Sequence, residues 1–280
     1  MDPAMELTER KFRHWCRLIE SHTGIAVSDC WADFARRRMV EHQSFFRQAE
    51  DSPGNLQALV DRLLIKETRF FRHPPSFNYV ANILTGGPDV PGSDPQSEPP
   101  SGFSLWSVGC ASGEEAYSLA ILSEQLCQAG KLSSPFRLLA TDVSQSALDV
   151  ASCGEYPRSR LKHLNAMQHA WFEPAGDKFL RVRATLKKRV VFAWHNLLDP
   201  LPGKTFDVIF CQNLLVYVAP TRRKMLLEKL AGALKPGGRL VLAPGEFFGA
   251  PPEALVRDRC DPGVLAYRRS PNSAWGHKWH

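Results

Sequence analysis

Between about Leu7 and Leu84 apolar residues recur three and four positions apart, as in Phe12, Trp15, Cys16 and Ile19, then Leu56, Leu59, Val60, Leu63 and Leu64. That spacing stacks them on one face of a helix, so residues 6–84 are expected to form a helical N-terminal domain. The stretch from Gly86 to Gly102 carries five prolines and almost no apolar side chains. It cannot bury enough surface to order itself, and residues 85–102 are read as a flexible linker. Beyond it, short apolar runs alternate with amphipathic helical segments: 103–108 then 114–129, 136–141 then 144–153, 190–194, 206–211 then 220–234, and 239–243. Strands and helices taking turns imply right-handed βαβ units, hence an α/β, doubly wound, Rossmann-like domain over 103–270 with a mostly parallel sheet. Two segments break the alternation. A basic, aromatic-rich insertion spans about 155–188, and 255–269 reads as a hairpin turning at Asp261-Pro262-Gly263, followed by a tail at 271–280.

Composition narrows the class. The chain has 280 residues, 44% of them hydrophobic, which suits a globular core with a small accessory domain. No run approaches the roughly 20 apolar residues of a membrane-spanning helix, and the N-terminal Glu6, Glu9, Arg10 and Lys11 do not fit a signal peptide, so a cytoplasmic protein without membrane insertion is expected. Seven cysteines at irregular spacing, with no CxxC pair, encode neither a disulfide framework nor a zinc site. A formal charge of +6 suggests an acidic partner. Arg36, Arg37 and Arg38 form the densest cluster, either a solvated helix face or a docking surface.

The chemistry concentrates where the first strand meets its helix. Gly109-Cys110-Ala111-Ser112-Gly113-Glu114-Glu115 follows that strand directly, at the sheet end where open α/β folds hold their cofactors. Gly109 and Gly113 allow a tight turn and close backbone approach. A dinucleotide would need a helix N-terminus open to pyrophosphate, whereas two glutamates there suit a ligand with an ammonium and a sulfonium charge. S-adenosyl-L-methionine therefore fits better than NAD, although acids after a glycine turn also suit a plain helix start. Asp142 ends the second strand, placed to accept hydrogen bonds from ribose hydroxyls or to act as a helix cap.

With those features in view, the sequence resembles the CheR-type chemotaxis receptor (protein-glutamate) O-methyltransferase family. The resemblance rests on Glu67-Thr68-Arg69-Phe70-Phe71-Arg72, the run from Trp106 to Ser118, Ala140-Thr141-Asp142-Val143, the run from Phe206 to Tyr217, and Leu234-Lys235-Pro236-Gly237-Gly238. It implies a class I methyltransferase fold, S-adenosylmethionine as donor and S-adenosylhomocysteine as product. By position it implies that Lys66, Thr68, Arg72 and Gly109 contact the cofactor, that Glu115 or its neighbour Glu114 binds the methionine or ribose part, and that Asp142 binds the ribose. Asn196 and Leu197 would lie on the adenine side, Gln212 and Asn213 on the cleft floor, and Tyr217 would face the reacting methyl, with Arg72 and Tyr217 the catalytic pair. Phe70 and Phe71 read as core packing. Gln212 departs from the family's usual arginine, and activity is expected to survive that change.

The implied partner is the cytoplasmic domain of a methyl-accepting transmembrane receptor, an acidic helical bundle that Arg36–Arg38 could meet. Asn213 to Tyr217 reads NLLVY, without the prolines of amino methyltransferases acting on DNA, so nucleic acid is disfavoured. The insertion corresponds to the family's small β-subdomain, which in some members grips a receptor tail peptide. Its loop between Trp171-Phe172 and Leu180-Arg181-Val182-Arg183 is shorter than in those members, which favours independence of that peptide, and a monomer is expected. Competing readings are a small-molecule or RNA methyltransferase, and a non-catalytic cofactor-sensing module. Some relatives continue into helical repeats, so the sequence is also consistent with a piece of a longer protein.

Overall fold

The computed structural model describes residues 9–27, 29–42, 53–64, 67–86, 102–132, 136–201, 203, 205–258 and 261–271. Most of the expected linker, the tail after 271 and Lys66 lie outside them. A seven-stranded sheet organises the chain: β1 (Ser104–Val108), β2 (Arg137–Asp142), β6 (Val190–Trp194), β7 (Phe206–Cys211), β8 (Leu234–Leu242), β9 (Leu255–Asp258) and β10 (Leu265–Arg269). Their order is β6-β2-β1-β7-β8-β10-β9, with the first five parallel and β10 antiparallel to both neighbours. This is the doubly wound arrangement, with the chain reversing direction across the sheet beside β1.

Alternation along the strands separates two cores. Leu105, Leu138, Val208, Phe210 and Val241 face α4 (Pro74–Leu84) and α5 (Glu114–Gln128) on one side, while Trp106, Val108, Ile209, Cys211, Leu240 and Leu242 face α9 (Pro220–Ala233) on the other. Helix α6 (Gln145–Cys153) adds Leu148 to the first core. The strand expected at 239–243 starts earlier, at Leu234, because an irregularity between Phe206 and Val208 lets Phe206 pair with Leu234. The 255–269 segment is a hairpin as expected, its turn held by the Asp261 carboxylate accepting from the Gly263 amide at 2.8 Å.

Helices α1 (Glu9–Thr23), α2 (Asp29–Glu41) and α3 (Pro53–Leu63) build a third core around Phe12, Trp15, Ile19, Met39, Leu59 and Leu63. Helix α4 does not join it, because Phe77, Val80 and Leu84 are buried in the sheet's first core. The three helices dock on the sheet's C-terminal end through polar contacts. The Gln57 amide donates to the Val143 carbonyl at 2.6 Å, the Ser144 hydroxyl to Asp61 at 2.5 Å, and the Asn196 amide to the His22 carbonyl at 2.5 Å. Ala26 N donates to the Tyr217 carbonyl at 2.8 Å. Within the basic cluster, Arg36 pairs with Glu9 and covers the Phe12 ring, and Arg38 pairs with Glu41 and donates to the Arg62 carbonyl, which leaves Arg37 facing solvent.

The insertion forms a separate three-stranded antiparallel sheet of β3 (Glu155–Pro157), β4 (Phe172–Ala175) and β5 (Phe179–Val182), with short helices α7 (Ala166–His169) and α8 (Ala184–Lys187). Phe70 packs edge-on against Tyr156 and Phe172, so the insertion sits against the chain just before α4. Both Phe70 and Phe71 pack against aromatic neighbours, as their sequence context suggested. The five cysteines whose side chains are described are free, and burial raises the Cys110 and Cys211 thiols, leaving them protonated and inert. No described helix is long and apolar enough to cross a membrane.

Candidate active site

The loop after β1 is shaped by backbone constraint. Gly113 adopts φ +91°, and a Cβ there would lie 2.8 Å from the Ala151 Cβ, so only glycine lets α5 start at this point. Ala111 is also left-handed, at φ +45°, a conformation disfavoured for a residue with a Cβ. It is held because Asp142 Oδ2 accepts from its amide at 2.8 Å, while Asp142 Oδ1 accepts from Ser144 N at 2.8 Å. Ser144, not Asp142, is the side-chain cap of α6. Asp142 therefore ties the loop after β1 to the end of β2.

That loop is one wall of a cleft of about 1370 Å³, counting the space at its mouth. Thr68 and Arg72 line it from the segment before α4, Gly109 and Glu115 from the β1 loop, Asp142 from β2, and Asn196 and Leu197 from the turn after β6. Gln212, Asn213 and Tyr217 complete it from the end of β7. The structure thus gathers ten of the expected residues around one space. Glu114 is not among them. Its side chain is fully buried and points the other way, accepting from Arg160 Nη1 at 2.5 Å and Ser112 Oγ at 2.7 Å. Neighbours on a helix diverge by about 100°, and the insertion's arginine draws Glu114 away from the cleft, so of the two adjacent acids Glu115 faces it.

Other lining residues had no sequence signal. The Thr23-Gly24-Ile25 turn after α1 roofs the cleft, joined to it by a bridge between Ile25 and Val218. His195 also lines the cleft, and its Nε2 is buried without a hydrogen-bond partner among the described residues. Glu246 lies behind the floor, accepting from the amides of Asn213, Leu215 and Ala243 and so holding Asn213 in its left-handed conformation at φ +58°. The Gln212 amide is buried and donates to Ser76 Oγ at 2.8 Å and the Leu242 carbonyl at 3.2 Å. A neutral amide is satisfied there, joining β7 to α4 and β8.

The carboxyls of Glu115 and Asp142 line the cleft together, with Glu246 nearby. Burial pushes the Glu115 carboxyl up to about 8, and nearby Glu246 and Asp142 add to the rise against a hydrogen bond from Ser107 and the charge of Arg72. No cation forms an ion pair with Glu115 among the described residues, and none of their acids and histidines cluster for a metal. The donor set suits a ligand with an ammonium group, hydroxyls and a polar ring, and S-adenosylmethionine has all three. Glu115 would hold the ammonium, Asp142 the ribose hydroxyls, and the turn at Asn196 and Leu197 the adenine.

Comparison with known proteins agrees with this assembly. Residues 66–255 match the family described as CheR methyltransferase, SAM binding domain. The chain is 31% identical to chemotaxis protein methyltransferase 1 of Vibrio cholerae, with 94% of this chain and 98% of that protein covered. It is 32% identical to the chemotaxis protein methyltransferase of Vibrio parahaemolyticus over the same shares. The corresponding protein of Borreliella burgdorferi is 34% identical, covering 70% of each chain. With a family match over most of its length and relatives that align nearly end to end, this chain belongs to the CheR methyltransferase family.

Proposed function

We propose that this protein esterifies glutamate side chains on the cytoplasmic helices of a methyl-accepting chemotaxis-type receptor, using S-adenosylmethionine and tuning adaptation of the signal. It would act in the cytoplasm, as a monomer. The observation that carries the reading is that one cleft is lined by Glu115, which forms no ion pair among the described residues, and by Arg72 and Tyr217. The first accounts for a cationic cofactor, the others for an anionic acceptor.

A glutamate acceptor needs little activation. With an ordinary pKa near 4.3 it is ionised at neutral pH, so no general base is required. When bound, the cofactor supplies an electrophilic methyl on a sulfonium. Glu115, Asp142 and the turn at Asn196 and Leu197 would hold that cofactor, and transfer of its methyl to the carboxylate oxygen would leave sulfur as the neutral thioether. The chain's own task is alignment and exclusion of water. Arg72 orients the carboxylate and Tyr217 hydrogen-bonds near the reacting centre, both supported by short local anchors: Arg72 Nη1 donates to the Glu67 carbonyl at 3.0 Å, and Tyr217 sits in a helical turn strapped to Ala26. The three-residue turn 176–178 between β4 and β5 leaves little loop to grip a peptide, which supports independence from a receptor tail.

Incubation with tritiated cofactor and receptor-bearing membranes should give base-labile methyl ester, equally on receptors with and without their C-terminal peptide. Label in RNA or small molecules only, or no transfer at all, would refute the reading. Binding of the cofactor should also be linked to protons. In the empty cleft Glu115 is protonated below about pH 8. A bound ammonium favours the carboxylate and lowers that pKa, so binding releases a proton and affinity rises with pH through this range, by up to about tenfold per unit. Calorimetry of adenosylhomocysteine between pH 6 and 7.5, in buffers of different ionisation enthalpy, measures this. A flat affinity without proton release would remove Glu115 from the ammonium site.

A further inference from the structure

We infer that the receptor helix docks on the rim of the catalytic cleft itself, through Arg69, Arg72 and Arg222 with the exposed Val216, Met225 and Phe248, and that this surface selects acidic amphipathic helices. The inference rests on the proposed function and adds where, and by which flanking chemistry, the acceptor is held.

Three arginines line the cleft, and none forms an ion pair with a described carboxylate. Among the described residues Arg69 and Arg72 donate to backbone carbonyls, those of Arg72 and Glu67. Arg222 stands in the first turn of α9, a turn that has no acidic residue although a helix N-terminus favours one. Arg223 and Lys224 follow it, so three cations stand where the helix dipole is positive. An anionic partner would relieve that arrangement.

Apolar side chains flank the arginines. Met225 lines the cleft from α9 and is 40% exposed, and Val216, beside Tyr217, is 37% exposed. Phe248 is 90% exposed on the loop after β8, which Glu246 ties to Asn213 and Leu215. The arginines and Met225 of the cleft lining, with exposed Val216 in the turn after β7 and Phe248 in the loop after β8, complement a helix with acids beside an apolar stripe. The rival surface on α2 is weaker, since Arg36 and Arg38 are already paired within the chain.

The test is binding of a labelled receptor cytoplasmic fragment, read by fluorescence anisotropy, for wild type, Arg222→Glu, Phe248→Ser and, as comparator, Arg37→Glu. Each rim variant should weaken fragment binding about tenfold and Arg222→Glu should flatten its salt dependence, with Arg37→Glu near wild type. Adenosylhomocysteine affinity should stay within about twofold for Phe248→Ser, whose side chain is not part of the cleft lining. Wild-type methylation of the fragment with undiminished binding by both rim variants would overturn this surface alone. So would a larger defect in Arg37→Glu, or loss of adenosylhomocysteine affinity in Phe248→Ser that parallels its loss of the fragment. Failure of the wild type to methylate the fragment would instead overturn the functional reading beneath it.

Discussion

Replacing Arg72 by alanine is expected to lower kcat about 10²–10³-fold while weakening adenosylhomocysteine binding by less than about tenfold. The guanidinium has five N–H donors, and among the described residues its hydrogen bond goes to the Glu67 carbonyl. The others are available where an acceptor carboxylate must enter. The segment that carries Arg72 is rigid for reasons outside the site. Phe70 is buried against Tyr156 and Phe172, its carbonyl contacts His163 Nε2 at 2.8 Å, and Phe71, left-handed at φ +48°, donates its amide to Ser118 Oγ at 2.9 Å. Such strain is retained where surrounding contacts over-determine it, and here it fixes the base of one side chain. Arg72→Lys keeps the charge without the planar fork and should fall between wild type and alanine. Single-turnover rates at saturating cofactor and receptor provide the measurement. An unchanged rate in Arg72→Ala would place the arginine outside the chemistry.

Much of this architecture was legible because period and position carry it. The runs at 190–194 and 206–211 are strands with those bounds, since a buried parallel strand is a short apolar run flanked by breakers. The glycine loop, Asp142 and the end of β7 could be assigned to one crevice because parallel strands deliver their C-terminal ends to the same edge. What stayed illegible depends on contacts far apart in sequence. The spacing of Phe77, Val80 and Leu84 marks a helix but not whether α5 or α1 covers it. Adjacent Glu114 and Glu115 look equivalent until Arg160, 46 residues on, takes one of them. The roof at Thr23–Ile25 arises from pairing with Val218, and the arginine at 222 belongs to the cleft only because α9 begins beside Tyr217. Gln212 in place of arginine looked like a lost charge. Its neutral amide is instead satisfied by Ser76 and the Leu242 carbonyl, so no cation is missing from that position.

Asp142→Ala should weaken adenosylhomocysteine binding about 10²–10⁴-fold, because two charge-assisted hydrogen bonds are each worth roughly 1.5–3 kcal/mol. The carboxylate already accepts from Ala111 N and Ser144 N, and those amides use part of an acceptor capacity of about four. Ribose hydroxyls would donate to the same carboxylate. Alanine removes those acceptors and also releases Ala111, whose left-handed backbone is held by the same group. Two effects therefore combine, and Asp142→Asn separates them. An asparagine keeps the shape and can satisfy one amide, but its NH₂ cannot accept from the second amide or from a hydroxyl. Calorimetry should find Asn nearly as weak as Ala if the acceptor role dominates, and clearly tighter than Ala if Asp142 merely holds the loop, since Asn keeps one of the two amides. A 2′,3′-dideoxyribosyl analogue tested against the wild type closes the argument. It should lose affinity comparable to the Asn variant, and the variant should no longer distinguish analogue from parent, because a missing acceptor cannot be missed twice.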